Sequence, residues 1–354
     1  MQTRVFVAIA ALVYVVALWA LPAQAQVSYT VQLISYPYQG ALDISPNAIN
    51  NNGQVVGQYF DDGGYHSFLY SAGQTQQIGP SGGYYGTCAT GINDNGEIIG
   101  YAGQAPTGYT EAAGAITNLT PLGTARPADI NNSGQITGSY VDPVSGHDRA
   151  FIYSGGAIQN LGVVAPMTDS GGVALNESGD VAGNMYYSNQ CQAFVYAAGS
   201  MRIINTTSYC QAAGINSSRQ VVGRIAGSQW EGFFYDYASD ALTVVPPLPG
   251  CIQSSLAGIN DGGQAVGCSL SESQDFATLY TRDGGLVDLN SLISPASGWQ
   301  LAWATAINDQ GQIIGIGSLQ GYGSPQSFIL TPIPEPATLS LLALGGLAMF
   351  RRRK

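Results

Sequence analysis

Seven times along this chain an Ile-Asn or Leu-Asn pair leads into a tight turn and then an apolar step, and that recurrence constrains the fold more than any other feature. The asparagines are Asn50, Asn93, Asn131, Asn176, Asn216, Asn260 and Asn308, spaced 43, 38, 45, 40, 44 and 48 residues apart. A period near forty with strand-like content signals a propeller or a stacked array rather than one conventional core. A glycine stands seven residues after every repeat asparagine: Gly57, Gly100, Gly138, Gly183, Gly223, Gly267 and Gly315. A turn glycine stands three residues after it in six repeats, at Gly53, Gly96, Gly134, Gly179, Gly263 and Gly311. The fifth repeat carries Arg219 there, which predicts a differently shaped turn, because a left-handed backbone costs a non-glycine residue about 1 kcal/mol.

One repeat reads as four strands. Ala48-Ile49-Asn50 ends the first, and Asn50 to Gly53 makes the turn. Gln54 to Gly57 opens a second strand of β-branched residues, Ser67-Phe68-Leu69-Tyr70 is a third, and Thr75 to Ile78 a fourth. The third strand recurs as Ala150-Phe151-Ile152-Tyr153 and Ala193-Phe194-Val195-Tyr196, and degenerates to Tyr109-Thr110-Glu111-Ala112 in the second repeat. The last repeat supplies three strands and lacks a fourth, while Tyr29 to Ser35 stands before the first repeat with no partner. Placing that segment as the outer strand of the seventh unit closes a ring and removes the exposed faces of an open row. The expected fold is all-β, a seven-bladed β-propeller of four-stranded meander blades closed by an N-terminal strand, with a C-terminal sorting helix beyond it. Short, repeated turns then fall on one face. The longer connections between second and third strands, and between blades, fall on the other, the upper face, where recognition is expected.

The ends of the chain give an address. Residues 1–25 read as a secretory signal peptide: Arg4, the apolar run Val5 to Leu21, and Ala23-Gln24-Ala25 as a small-x-small cleavage site. At the other end Pro334-Glu335-Pro336 precedes an apolar stretch, Ala337 to Phe350, too short for an ordinary membrane span, and then Arg351-Arg352-Arg353-Lys354. This three-part pattern resembles the PEP-CTERM sorting signal of Gram-negative bacteria. The resemblance implies recognition by a membrane exosortase, cleavage near the Pro-Glu-Pro, membrane contact only through this segment before processing, and delivery to the cell surface or extracellular matrix. The domain plan is thus 1–25 signal peptide, 26–331 propeller and 332–354 sorting signal.

The repeats themselves resemble the HAF extracellular repeat family, named for a His-Ala-Phe run. His66-Ser67-Phe68 keeps the His and Phe, whereas Arg149-Ala150-Phe151 and Gln192-Ala193-Phe194 keep Ala and Phe. The resemblance implies secretion and a repeat fold and carries no assigned activity.

Residues 26–333 hold 21 acids against six arginines and no lysine, a net charge of −15. An acidic surface repels phosphate backbones and argues against nucleic-acid partners. Five cysteines lie in or beside upper-face connections, and export makes disulfides available. Cys251 with Cys268, and Cys191 with Cys210, are the expected pairs, leaving Cys88 free. No Cys-x-x-Cys spacing supports a metal site. The acids of Asn93-Asp94-Asn95-Gly96-Glu97 and Asn260-Asp261-Gly262-Gly263 read as turn residues rather than calcium ligands, because other repeats form the same turn without them. The two histidines, His66 and His147, have no Ser or Cys at a recognisable triad spacing. The upper face should instead display Tyr84, Tyr85, Tyr186, Tyr187, Trp230 and Trp299 beside short acids, the mixture of apolar faces and hydrogen-bonding groups that sugar binding uses. The expected function is a non-enzymatic binding or structural module of the cell surface or biofilm matrix, with exopolysaccharide as partner and no cofactor or metal. The alternatives are a carbohydrate-active hydrolase or lyase on the same ring, and a calcium-stabilised adhesion module.

Overall fold

A computed structural model of the chain describes residues 28–36, 42–80, 86–204 and 209–333. They form seven four-stranded antiparallel sheets with three short 3-10 turns and no α-helix among the described residues. The first blade is typical: Leu42–Ile49 innermost, then Val55–Asp61, Gly64–Ser71 and Gln74–Ile78 in order outward. The signal peptide and the expected C-terminal helix lie outside the described residues. Thr30–Thr331 form one compact unit, the propeller, and the terminal segments Met1–Tyr29 and Pro332–Lys354 belong to a second. Within those segments the Ile333 amide donates to the Ser28 carbonyl at 2.8 Å.

The ring closes as the unpaired segment requires. Strand Tyr29–Leu33 sits outermost on the sheet that continues through Gln326–Pro332 and Ile313–Leu319 to Trp299–Ile307. The Ile34 amide donates to the Ser327 carbonyl at 3.0 Å, and the Thr30 hydroxyl donates to the Thr331 carbonyl at 3.3 Å, which gives an antiparallel register. Ile34 is fully buried in a cluster with Val55, Tyr59 and Phe68 of blade one and Ile314 and Ile329 of blade seven. The hydrophobic core is therefore divided among the seams. Residues of blades four and five (Val195, Phe233) share one cluster, and residues of blades two and three (Ile99, Phe151) share another. Burial of apolar surface between blades, at about 25 cal/mol per Å², is the main cohesive term.

The recurrent glycine seven residues after each asparagine has a specific cause. Every inner strand is bulged opposite it, as at Pro46/Ala48 and Ala212/Gly214. The bulge drives an inner-strand carbonyl toward the second strand. A Cβ added at Gly57 would meet Ser45 O at 2.1 Å, at Gly223 Gln211 O at 1.9 Å, and at Gly267 Ser255 O at 1.9 Å. Only glycine permits that approach. Tyr109 of the degenerate second repeat pairs with Gly100 and is fully buried, as Phe68 is opposite Gly57, so this substitution keeps the blade's anchor.

Candidate functional site

The repeat asparagines form a closed circuit on the lower face. Each Asn side-chain oxygen accepts the amide four residues on, which fixes the turn. Each Nδ2 donates to the side chain at that same position, Gln54, Glu97, Gln135, Asp180, Gln220, Gln264 or Gln312. It donates also to the backbone carbonyl of the next blade's asparagine, Asn50 to Asn93 and onward until Asn308 returns to Asn50 at 2.8 Å. All seven are buried. The sequence marked these asparagines as turn formers. Their role as latches between blades, and the pairing role of the residue four further on, were missed. The signal available was that this fourth residue is Gln, Glu or Asp in every repeat.

One residue outward, a second tier rims the central opening: Asn51, Asp94, Asn132, Glu177, Ser217, Asp261 and Asp309, around a cavity of about 170 Å³. The Asp94 carboxylate accepts the Asn51 amide at 2.7 Å, Asp261 that of Ser217 and Asp309 that of Asp261, both at 2.8 Å. Burial opposes ionisation of Asp94, but the Asn51 amide and the Asn132 and Asn51 side chains hold its pKa below the ordinary value. Glu177 moves upward, through desolvation and then the nearby charges of Asp94, Asp261 and Asp309. These carboxylates serve as blade-to-blade acceptors. Among the described residues no group of three or more His, Cys, Asp or Glu side chains is arranged to hold a metal ion.

The upper face gathers aromatic and polar groups at blades four and five. Tyr209 meets Trp230 edge-on at 5.4 Å between ring centroids. The Arg224 guanidinium lies 4.6 Å from the Trp230 ring centre and donates through Nε to Gln211 at 2.8 Å. Gln211 in turn donates to the Tyr209 hydroxyl at 3.4 Å. Tyr186 and Tyr187 are exposed at the end of strand Val181–Tyr187. Partial desolvation, with Cys191 and Tyr209 nearby, pushes the Tyr186 pKa up to about 12. Arg224 has no carboxylate partner among the described residues.

Other expected site residues fall elsewhere. Tyr84 and Tyr85 lie outside the described residues, as do Pro334, Glu335, Pro336 and the terminal arginines. Trp299 begins the inner strand of blade seven, half-buried, and packs edge-on against Phe328 at 5.9 Å. The more exposed indole there is Trp303, whose Nε1 donates to Asp275 at 2.9 Å. All five cysteines stand as unbonded thiols in this structure. Cys191 and Cys210 do approach across neighbouring blades, but the Cys191 thiol points at the Cys210 carbonyl at 3.4 Å. Cys268 pairs in the ladder with Ser255, and its thiol is buried, whereas Cys251 is partly exposed outside the strand. Desolvation pushes Cys191 up to about 11, and Cys210 and Cys268 up to about 12, so these thiols are weak nucleophiles at neutral pH. His66 is held between Asp61 at 2.9 Å and Gln77 at 3.0 Å, and His147 faces Asp169 at 3.2 Å.

Residues 332–354 match the PEP-CTERM protein-sorting motif. The motif implies processing by exosortase, a membrane protease, and export to the surface of a Gram-negative bacterium, so the chain is an exosortase-sorted, secreted propeller. No curated protein matches the chain. Solved structures resemble it in fold. An oligogalacturonate lyase from Vibrio parahaemolyticus is 10% identical, with a TM-score of 0.58 over 87% of this chain and 98% of that one. A virginiamycin B lyase from Staphylococcus aureus is 13% identical, with a TM-score of 0.55 over 86% of this chain and 100% of that one. A puromycin-hydrolysing peptidase from Mycobacterium tuberculosis is 12% identical, with a TM-score of 0.58 over 83% of this chain; the chain spans only 51% of the length of that protein. At these identities the likeness concerns the propeller fold alone.

Proposed function

We propose that this protein is a non-enzymatic binding module of the extracellular matrix, holding polysaccharide on its upper face at blades four and five. The observation that carries the reading is the contiguous set Tyr186, Tyr209, Gln211, Arg224 and Trp230, in which aromatic surface adjoins amide and guanidinium donors. Stacking of a sugar's apolar face on Tyr or Trp, with hydrogen bonds from the rim, is the physical basis of such recognition. The partial likeness of the repeats to HAF extracellular repeats supports the same setting. The thiols are poorly ionised, and the lower-face acids are engaged by backbone amides, which favours binding over catalysis. The acids in the Asn93 and Asn260 turns bond to neighbouring blades, which favours turn and seam roles over calcium binding.

The test is a glycan array probed with the purified protein, paired with hydrolase and lyase assays on every glycan bound. Trp230→Ala should weaken glycan binding tenfold or more while leaving the melting temperature within a few degrees. Binding unchanged in that variant, or turnover abolished by one Asp or Glu substitution, would overturn the reading.

A further inference from the structure

The fifth repeat breaks the rule that the other six obey, and the structure shows what occupies the broken position. Arg219 adopts the same left-handed backbone as the turn glycines, with φ 58° against 73° at Gly53, and makes the same turn bond to the Asn216 carbonyl at 2.9 Å. The turn is therefore not reshaped, contrary to the sequence expectation, and the arginine holds a conformation that disfavours side chains. Backbone strain of this kind persists where surrounding structure fixes it, and it directs attention to what the side chain does.

The side chain crosses the seam between blades four and five. Its Nε donates to Asp180 Oδ2 at 2.7 Å, and Nη2 donates to Oδ1 at 3.3 Å. The Arg219 guanidinium carbon lies 5.6 Å from the centre of the Tyr237 ring, and that of Arg202 lies 3.8 Å from it. Arg202 also donates from Nη1 to the Tyr237 carbonyl at 2.9 Å. Together with Ser178, Ser217 and Ser218, these three side chains line a lower-face cavity of about 330 Å³. This cavity shares Ser217 with the rim of the central opening and no lining residue with the upper-face cluster.

The lining is biased in charge. Residues 26–333 carry 21 acids and six arginines, yet two of those arginines and no acid form this wall. Asp180 is buried and its oxygens are taken by Arg219 and Asn176. Asp240 stands 3.9 Å from Arg202 Nη1, with its side chain 74% exposed. Arg219 Nη1 and the hydroxyls of Ser178 and Ser218 have no partner among the described residues. Guanidinium groups match the geometry of oxyanions, and free hydroxyls beside them suit a ligand that also carries hydroxyls. The volume is about ten times a water's share of about 30 Å³, more than a bare inorganic anion fills and on the scale of one sugar ring.

We propose that this cleft binds a carboxylate-bearing sugar, with the uronate carboxylate against Arg202 and Arg219 and the ring hydroxyls against Ser178 and Ser218. The proposal stands independently of the upper-face reading. Isothermal titration calorimetry with sodium glucuronate, glucose, inorganic sulfate and inorganic phosphate, on the purified protein and its variants, tests it. Glucuronate should bind at least tenfold more tightly than the other three. Arg202→Gln, which leaves the Arg219–Asp180 pair intact, should weaken glucuronate tenfold or more with an unchanged melting temperature. Arg219→Gly, which restores the residue of the other six repeats, should weaken glucuronate as well, with a lowered melting temperature because buried Asp180 loses its ion-pair partner. Trp230→Ala should leave glucuronate affinity within twofold. No binding of glucuronate, binding matched by sulfate, phosphate or glucose, or full affinity in folded Arg202→Gln would overturn it. Affinity lost in Trp230→Ala but kept in Arg202→Gln would place the ligand on the upper face and refute this site.

Discussion

Replacing Asn93 by alanine opens one link of the buried circuit and tests whether that circuit holds the blades in register. The Asn93 side chain makes four hydrogen bonds: Oδ1 accepts from the amides of Asn95 at 3.1 Å and Glu97 at 2.9 Å, and Nδ2 donates to Glu97 Oε2 at 2.7 Å and to the Asn131 carbonyl at 3.1 Å. A net contribution of about 1 kcal/mol for each gives about 4 kcal/mol. The Asn131 carbonyl keeps its bond from the Gly134 amide at 3.0 Å, so the loss rests on these four bonds and not on a stranded carbonyl. Set against the 5–15 kcal/mol typical of folded domains, about 4 kcal/mol is a large fraction of the total. The comparison variant is Asn52→Ala in a neighbouring turn. Asn52 is exposed, and its side chain makes one bond across the seam, to the Asp94 carbonyl at 2.8 Å, so about 0.5–1 kcal/mol is expected. Asn93→Asp adds a third measurement. It keeps both acceptor contacts but turns the donor into a carboxylate facing Glu97 and the Asn131 carbonyl, so it should be at least as damaging at pH 7. Equilibrium urea unfolding followed by tryptophan fluorescence gives each difference from the midpoint at a shared slope. If Asn93→Ala costs less than about 1 kcal/mol, or no more than Asn52→Ala, the asparagines only shape turns and the latch argument fails.

Two further outcomes follow from the seams. Ile34→Ala removes a fully buried side chain from the closure cluster and should cost about 3 kcal/mol in urea unfolding; a loss under 1 kcal/mol would mean that the N-terminal strand does not lock the ring. Asp129 lies on the inner strand of blade three, where desolvation raises its pKa to about 6 against the pull of the Leu175 and Ile130 amides. Its folded value thus lies above the ordinary value of about 3.9, so the folded protein binds the extra proton between them and loses stability, on the order of 2–3 kcal/mol, as pH rises from about 4 to about 6. Asp129→Asn should flatten that part of the stability profile, and identical profiles for variant and parent between pH 4 and 7 would refute the assignment.

The blade count, the strand order within each blade and the closure were legible in the chain because each depends on local spacing. An Asn-x-x-Gly turn between β-branched steps specifies a hairpin wherever it occurs, and six of them, a seventh repeat with Arg219 in the glycine's place and one strand short at the end leave a single partner for Tyr29 to Ser35. Tertiary structure decided what the side chains meet. The Asn50 amide group reaches the Asn93 carbonyl, and Gly223 sits against the Gln211 carbonyl, only after the blades stack and the inner strands bulge. The Cys191 thiol meets the Cys210 carbonyl of the next blade, and the convergence of Arg202, Arg219 and Tyr237 joins three separate turns and strands of two blades. The physical reason is that strand and turn propensities act over a few residues, whereas the facing of one blade on the next is set by twist and bulge summed across whole sheets.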